Sequence, residues 1–293
     1  MLTPSFLRSF EVVLGQKLGK KIHVRRVTPL SGGSINLAAK LDTTGGIFFL
    51  KANDAMKYPG MFEKEASGLK ALSSTNAIAI PQVIMTGETQ DQSFLVLEFI
   101  DGRARQNDFW QNFGTSLAQL HKYFGNHFGF EEDNFIGSLR QSNKQHATWI
   151  NFFIEERLER QLKLAMSGGL MNSDDQKSFS QLYRRLEDLI PVEAPSLIHG
   201  DLWSGNFITG KDGRACLIDP AVYYGHREMD LAMSRLFGGF DPEFYEAYQQ
   251  EHPVEAGFED RVDIHNLYPL MVHVNLFGGG YVGQVRAILK RFR

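Results

Sequence analysis

The pattern of apolar residues changes along the chain, and this change constrains the fold more than any other feature. The first hundred residues carry most of the strand signals, whereas much of the remainder has the periodicity of helices. Consecutive strands are predicted at 24–30, 35–42 and 47–51, joined by glycine-containing turns of the kind that β-hairpins need. The sequence therefore predicts an α+β chain, with a small antiparallel β-rich lobe at 1–101 and a mainly helical lobe at 102–293.

The β-rich lobe is predicted to continue with a helix over 62–72 and two further strands at 81–85 and 94–100. The helical lobe contains one short β island. Its strands, 206–209 and 214–219, flank a Lys-Asp-Gly turn and are predicted to form a hairpin between helices. The long C-terminal helix is expected to be interrupted near Pro269 and at the glycines that follow residue 277.

The composition excludes several classes of protein. With 43% hydrophobic residues among 293, the chain can bury a large core and is neither disordered nor fibrous. The 31 basic residues nearly balance 34 acidic ones without a basic block, so no nucleic-acid partner is expected. No apolar run approaches the roughly 20 residues that span a bilayer, and no signal-peptide pattern is seen, so no membrane partner is expected. Cys216 is the only cysteine, which rules out a disulfide framework and favours the cytoplasm.

The segment most informative about chemistry runs from His199 to Asn206. Asp201 precedes Asn206 by five residues, the interval found in the kinase catalytic loop, and Asp219 follows the next predicted strand. Phosphoryl transfer needs one carboxylate to orient the acceptor hydroxyl and take its proton, and separate oxygen ligands for Mg²⁺. A loop and hairpin that hold these three residues would provide both. The alternative is a polar turn in which His199 and Asp201 only cap backbone groups.

A lysine and a glutamate in the β-rich lobe fit the same chemistry. Lys51 ends a predicted strand, and Glu65 lies on the apolar face of the following helix. A buried pair of this kind holds the α and β phosphates of ATP in kinases. Glu63 is the competing partner, but it lies on a more polar helical face. As isolated residues, Lys51 and Glu65 would more often be surface groups, and only the downstream loop favours the kinase interpretation.

Two backbone segments are further candidates for nucleotide binding. Gly32, Gly33 and Ser34 lie in a turn before Lys51 that would cover the phosphates with backbone N–H groups, although a plain tight turn fits equally well. The apolar strand that ends at Glu98 and Ile100 runs into the lobe boundary, where its backbone would pair with adenine. A core strand without a ligand fits the same side chains.

Taken together, these motifs resemble the fructosamine-3-kinase (ketosamine-3-kinase) family, within the aminoglycoside phosphotransferase and choline kinase branch of the protein-kinase-like fold. The resemblance covers nearly the whole chain and rests on HGDLWSGN at 199–206, DPA at 219–221, YGHREMDLA at 224–232 and FGGF at 237–240. The tryptophan of the first motif and the Gly-His of the third distinguish this family from its antibiotic-kinase relatives.

The resemblance implies a bilobal protein-kinase-like fold and an enzyme that depends on ATP and Mg²⁺. It implies Asp201 as the base, Asn206 and Asp219 as metal ligands, and Lys51 and Glu65 on the nucleotide phosphates. The implied substrate is a ketosamine, small or protein-bound, which is phosphorylated on its 3-hydroxyl; this destabilises the adduct and leads to deglycation. A kinase for another hydroxyl substrate, such as an aminoglycoside or choline, is the alternative. A non-catalytic nucleotide-binding protein is disfavoured because every carboxylate needed for transfer is present.

The chemistry of several other side chains predicts their roles. Aromatic faces suit sugar rings, so Trp203 and His226 are predicted to contact the substrate, although tryptophan in a helical lobe is more often a core residue. Weaker candidates for this role are Trp149, His273, Asn275 and Tyr281. Asp230 is expected to anchor the catalytic loop, and Cys216 is expected to be a buried, inert thiol.

Overall fold

A computed structural model describes residues 2–30, 36–89 and 91–292 of the chain. The glycine-rich turn from Gly32 to Ser34, predicted to cover the phosphates, lies outside the described residues. The elements within them change from an antiparallel sheet to helices in the predicted order, so the α+β class is confirmed. None of the helices described combines the length and the apolarity that crossing a bilayer requires.

The first unit is built from residues Met1–Asn107 together with Ile208–Asp219, so a short segment from late in the chain packs with the β-rich region. The elements up to residue 107 are α1 (Pro4–Leu18), β1 (Val24–Leu30), β2 (Leu37–Thr43), β3 (Gly46–Asp54), α2 (Met61–Ser74), β4 (Val83–Glu88) and β5 (Gln92–Glu98). Five antiparallel strands form one sheet in the order β1-β2-β3-β5-β4. The predicted succession of three strands, a helix and two strands is thereby confirmed, as is the antiparallel pairing of the first three strands.

The second unit comprises Asp108–Phe207 and Pro220–Arg293. From residue 108 onward the strands are β6 (Asn134–Ile136), β7 (Leu139–Gln141), β8 (Ser196–Ile198), β9 (Phe207–Thr209), β10 (Ala215–Leu217) and β11 (Tyr223–Gly225). The helices are α3 (Phe109–Leu120), α4 (Trp149–Phe152), α5 (Glu159–Ser167), α6 (Ser173–Tyr183), α7 (Leu186–Leu189), α8 (Glu228–Arg235), α9 (Pro242–Glu251), α10 (Phe258–Phe277) and α11 (Val282–Lys290). A π-helical turn at Phe153–Leu158 joins α4 to α5, and 3₁₀ turns occupy Leu236–Gly238 and Gly279–Tyr281.

Helix α1 is absent from the sequence-based prediction, although its start carries a signal. The Thr3 side chain accepts a hydrogen bond from the Phe6 N–H at 3.1 Å, and Pro4 occupies the first turn. An N-cap threonine followed by proline is typical of a helix N-terminus. Phe6 and Phe10 then pack with Phe94 on one face of the sheet.

The two faces of the sheet carry different helices, and this arrangement determines where Lys51 points. Leu50 belongs to the apolar cluster that includes α1, whereas Leu95 and Leu97 pack with Phe62 of α2 on the other face. Because successive side chains of a strand alternate between faces, Lys51 is directed to the α2 side. Packing of both helices thus fixes the direction of a residue that sequence analysis assigns to nucleotide binding.

The predicted hairpin forms between β9 and β10, and from Ile208 onward it is part of the first unit. The Leu217 N–H donates to the Ala79 carbonyl at 2.9 Å, and the Arg103 N–H donates to Gly210. Cys216, next to Leu217, is 2% exposed, and burial raises the pKa of its thiol to about 12. The expectation of a buried, inert thiol is therefore confirmed.

Helix α10 corrects one expectation, because it continues through Pro269 to Phe277 and ends only at Gly278. Proline removes a backbone donor and usually ends or kinks a helix. Here most of the side chains of α10 are buried in the core of the second unit, including Leu267, Leu270 and Met271. Tertiary packing therefore outweighs the local cost of the proline.

Candidate active site

A buried cluster of one lysine and two carboxylates forms in the first unit. Lys51 Nζ lies 2.7 Å from Glu65 Oε1 and 2.7 Å from Asp219 Oδ1, and the lysine is only 6% exposed. Glu65 comes from α2, as the helical register predicts, while Glu63 is exposed. Asp219 follows β10 with a φ of +56°, a left-handed conformation that is uncommon outside glycine and is frequent at functional sites.

The charge of Lys51 is secured by these two neighbours. Burial alone would lower the pKa of Lys51, but the carboxylates of Glu65 and Asp219 together outweigh burial and raise that pKa above its ordinary value. The ammonium group is therefore charged at every physiological pH. Such a group suits an anionic ligand, and Asp219, whose side chain is 40% exposed, is the more accessible of its two partners.

The strand end predicted to face adenine is partly occupied by internal hydrogen bonds. The Glu98 N–H donates to the Gln82 carbonyl at 2.9 Å, and the Glu98 side chain accepts from Lys211 Nζ at 2.6 Å. A contact between Glu98 and adenine would consequently use its carbonyl oxygen. Ile100 lies just beyond β5 in irregular backbone. The role of both residues stays a prediction.

The predicted catalytic loop lies in the second unit and has internal order. Asn206 Nδ2 donates to both the carbonyl oxygen and Oδ2 of Asp201, each at 2.8 Å. The Asn206 N–H also donates to the Trp203 carbonyl at 2.9 Å. With its amide nitrogen donating to Asp201, the Asn206 side chain is oriented in one direction, and its carbonyl oxygen Oδ1 is the atom that can bind a cation. Amide and carboxylate oxygens such as Asn206 Oδ1 and those of Asp219 are the hard donors that suit Mg²⁺.

Asp230 anchors this loop, as expected from the sequence. Its two oxygens accept hydrogen bonds from the N–H groups of His199, at 2.7 Å, and Gly200, at 2.9 Å. His121, which sequence analysis overlooked, bonds Asp230 at 3.2 Å and shares a second hydrogen bond with Tyr248 at 2.8 Å. Only the three-dimensional fold brings these residues together, because more than a hundred positions separate His121 from Asp230.

A small cavity of about 10 Å³, which is room for roughly one water molecule, lies beside the predicted base. Asp201 lines it together with Met229, Tyr268, Val272 and His273. Its walls are mostly apolar with a few polar groups. Tyr268 and Met229 were not foreseen, because an apolar side chain gives no sequence signal that separates a pocket wall from a core.

The two predicted substrate residues have different surroundings. Trp203 is half-buried, with its ring 6.2 Å from that of Phe237. His226, however, is fully buried: its Nε2 bonds the Pro191 carbonyl at 3.2 Å, and its Nδ1 accepts from the Glu228 N–H at 3.3 Å. No ring atom is left for a substrate, so the expectation for His226 is corrected to a structural role.

A buried group of His226, Glu228 and His265 has the composition of a metal site. Arg261 already donates to both Glu228 oxygens, at 2.6 and 2.8 Å, and His265 bonds the same carboxylate at 3.0 Å. The negative charge is thereby compensated without a metal. These hydrogen bonds outweigh burial and lower the pKa of Glu228 to about 2.

Comparison with known proteins gives a consistent result. The sequence model of the fructosamine kinase family matches residues 7–293. The probable ketoamine kinase of Enterococcus faecium is 40% identical over 270 residues, which is 91% of this chain and 95% of that protein. The chloroplastic protein-ribulosamine 3-kinase of Arabidopsis thaliana is 40% identical, covering 92% of this chain and 83% of that protein. A crystal structure of a candidate fructosamine-3-kinase from Haemophilus somnus superimposes with a TM-score of 0.87 at 30% identity, covering 97% and 96% of the two chains.

The burial of His226 predicts a loss of stability in mild acid. Burial, with His265 nearby, lowers the pKa of His226 to about 4, against 6.5 for a free histidine. Between these two pH values His226 is protonated in the unfolded chain but neutral in the folded chain. The free energy of unfolding therefore falls by roughly 3 kcal/mol as the pH falls from 6.5 to 4. Urea unfolding at several pH values should give a shallower dependence for His226→Asn. His23→Gln, which alters an exposed histidine, should keep the wild-type slope; equal slopes in all three proteins would contradict the assignment.

Proposed function

The chain belongs to the fructosamine kinase family, and we propose that it transfers the γ-phosphate of ATP to the 3-hydroxyl of a ketosamine. The proposal rests on one observation. A chain that matches the family over residues 7–293 has both the buried Lys51 with its two carboxylate partners and the ordered loop that contains Asp201. Electrostatic stabilisation and positioning dominate phosphoryl transfer, and these residues are of the types it needs. The enzyme is thus an ATP-dependent phosphotransferase with an alcohol as acceptor.

On the nucleotide side, each charged group has one task. Lys51 supplies a permanent positive charge to the α and β phosphates, and Glu65 keeps that charge ionised and in place. Asp219 and Asn206 carry the oxygen donors that would hold Mg²⁺, and the ion would supply positive charge to the phosphates. The carbonyl of Glu98 and the backbone at Ile100 are proposed to meet the adenine.

On the acceptor side, Asp201 accepts the proton of the 3-hydroxyl as that oxygen attacks the phosphorus. The hydrogen bond from Asn206 holds the Asp201 carboxylate in one orientation, and Asp230 fixes the backbone that carries it. Trp203, two residues further along the loop, is proposed to contact the sugar. The 3-phosphate makes the adduct unstable, so the reaction would release amines and protein lysines from glycation.

A substrate panel tests the function directly. Purified protein with Mg-ATP should phosphorylate fructosyl-lysine and ribulosyl-lysine, both free and within a peptide, because the amine substituent must extend out of the cavity. The parent sugars should be much poorer acceptors, and kanamycin and choline should not be turned over appreciably. Mass spectrometry should place the phosphate on the sugar. Efficient transfer to kanamycin or choline, with none to any ketosamine, would favour an antibiotic- or choline-type kinase instead.

Asp201→Asn should remove most of the turnover without weakening nucleotide binding. The amide keeps the shape of the carboxylate but cannot take the proton, and general bases contribute about 10²- to 10⁴-fold. Turnover assays and calorimetric titration with Mg-ATP give the two measurements. Wild-type turnover in this variant would rule out Asp201 as the base.

Glu65→Ala and Glu63→Ala form a matched pair on the same helix. Without Glu65, Lys51 keeps its contact with Asp219, so the lysine should draw Asp219 away from Mg²⁺, and kcat should fall at least tenfold. Glu63 is exposed, and its removal should change kcat less than twofold. Greater damage from Glu63→Ala would contradict the role given to Glu65.

A further inference from the structure

Five aromatic side chains gather next to the cavity that contains Asp201. They form a chain of ring contacts that we name the aromatic cluster: Trp203, Phe237, His273, Phe277 and Tyr281. The centroid of His273 lies 4.8 Å from that of Phe237, 5.3 Å from Phe277 and 5.0 Å from Tyr281, and Phe237 in turn contacts Trp203. Unlike a core cluster, it reaches the surface: Phe237 is 41% exposed and Phe277 is 55% exposed.

The backbone that carries the two exposed rings is unusual. Phe237 has a φ of +59°, a left-handed conformation that costs a bulky residue about 1–2 kcal/mol. Gly238 and Gly239 follow, also with positive φ, and Gly278 follows Phe277 with a φ of +89°. A side chain at any of these three glycines would meet no atom within 4 Å, so the space beside the rings is open. Strain of this kind, retained at an exposed aromatic residue, points to a function.

Two members of the cluster connect it to the reacting atoms. His273 lines the same cavity as Asp201, and Trp203 belongs to the loop that carries Asp201. His273 Nδ1 lies 2.7 Å from the Pro269 carbonyl, which can only accept, so the ring hydrogen is on Nδ1 and Nε2 carries a lone pair. Burial lowers the pKa of His273, which keeps the ring neutral at physiological pH. The cluster therefore presents aromatic faces and one acceptor, without a positive charge of its own.

We propose that the aromatic cluster binds the protonated secondary amine of the ketosamine and the first part of its alkyl substituent. The inference rests on the proposed function and extends it to the amine side of the substrate. In a ketosamine the nitrogen is attached to C1, two carbons from the 3-hydroxyl that Asp201 must reach. An amine bound there would lie at the mouth of the cavity, with its substituent directed over the open glycine segments.

The chemistry of the cluster favours a cation over a neutral group. Aromatic faces attract ammonium groups through their quadrupole, and the attraction grows as the cation loses water. The Nε2 lone pair of His273 can accept one N–H of the amine. A ketose without the amine would gain neither contact, which gives the enzyme a physical means to distinguish a glycation adduct from the free sugar.

The test compares two ligands that differ in a single atom: fructosyl-Nα-acetyl-lysine and its ether analogue, in which oxygen replaces the linking nitrogen. Calorimetry with Mg-ADP present measures the affinity of each, and kcat/KM measures its use as an acceptor. Wild-type protein should prefer the amine. Phe237→Leu and Phe277→Leu each keep an apolar side chain but remove an aromatic face, and each should reduce this preference about five- to tenfold.

The matched control is Phe124→Leu, since Phe124 is also 55% exposed in the same unit but lies outside the cluster. It should keep the wild-type preference. An unchanged preference in both Phe237→Leu and Phe277→Leu would overturn the proposal. Calorimetry could show that wild-type protein prefers the amine ligand and that the variants lose this preference, while no ketosamine is phosphorylated. That result would support the amine site and contradict the proposed function.

Discussion

A buried ammonium group is tolerated only where ionised partners replace the water that it loses, and Lys51 meets this requirement with two carboxylates from distant parts of the chain. Glu65 requires α2 to pack on one particular face of the sheet. Asp219 requires the β9–β10 hairpin to be hydrogen-bonded to Ala79 and Arg103 of the same unit. Removing one member of such a buried group typically costs about 3–5 kcal/mol, because a charge is left uncompensated. The positions of β3, α2 and the β9–β10 hairpin therefore all depend on the ion pairs of Lys51.

The same reasoning explains why Lys51 is suited to the nucleotide phosphates that are proposed to bind there. The positive charge of Lys51 is maintained by groups of the protein itself and does not depend on a ligand. A bound phosphate would then meet a preorganised cation, and little reorganisation would be needed at the moment of reaction. Asp219, more exposed than Glu65, has oxygen capacity beyond its contact with Lys51 and is suited to share a metal ion.

The sequence predicts features that follow from local periodicity and misses those that follow from distant packing. Helical register is sufficient to choose Glu65 over Glu63, whereas the burial of Lys51 is predicted only because the downstream loop favours a kinase site. For His226, the chemistry of the side chain suggests a ligand site, but the core of the second unit encloses it. The start of α1 carried a signal in Thr3 and Pro4 that was overlooked. The aromatic cluster, in contrast, joins loops and helices far apart in the chain, and no local pattern could reveal it.

Helix α8 connects the catalytic loop to the wall of the cavity through two carboxylates that lie two positions apart. Asp230 accepts hydrogen bonds from the backbone of the loop, whereas Glu228 bonds Arg261 and His265 of α10. Helix α10 also carries Tyr268 and His273, which line the cavity beside Asp201. Because both carboxylates are buried and accept hydrogen bonds, neither end of this connection can shift without leaving a buried acceptor unpaired. Helix α8 therefore fixes the loop of the predicted base relative to α10, which carries two residues of the cavity wall.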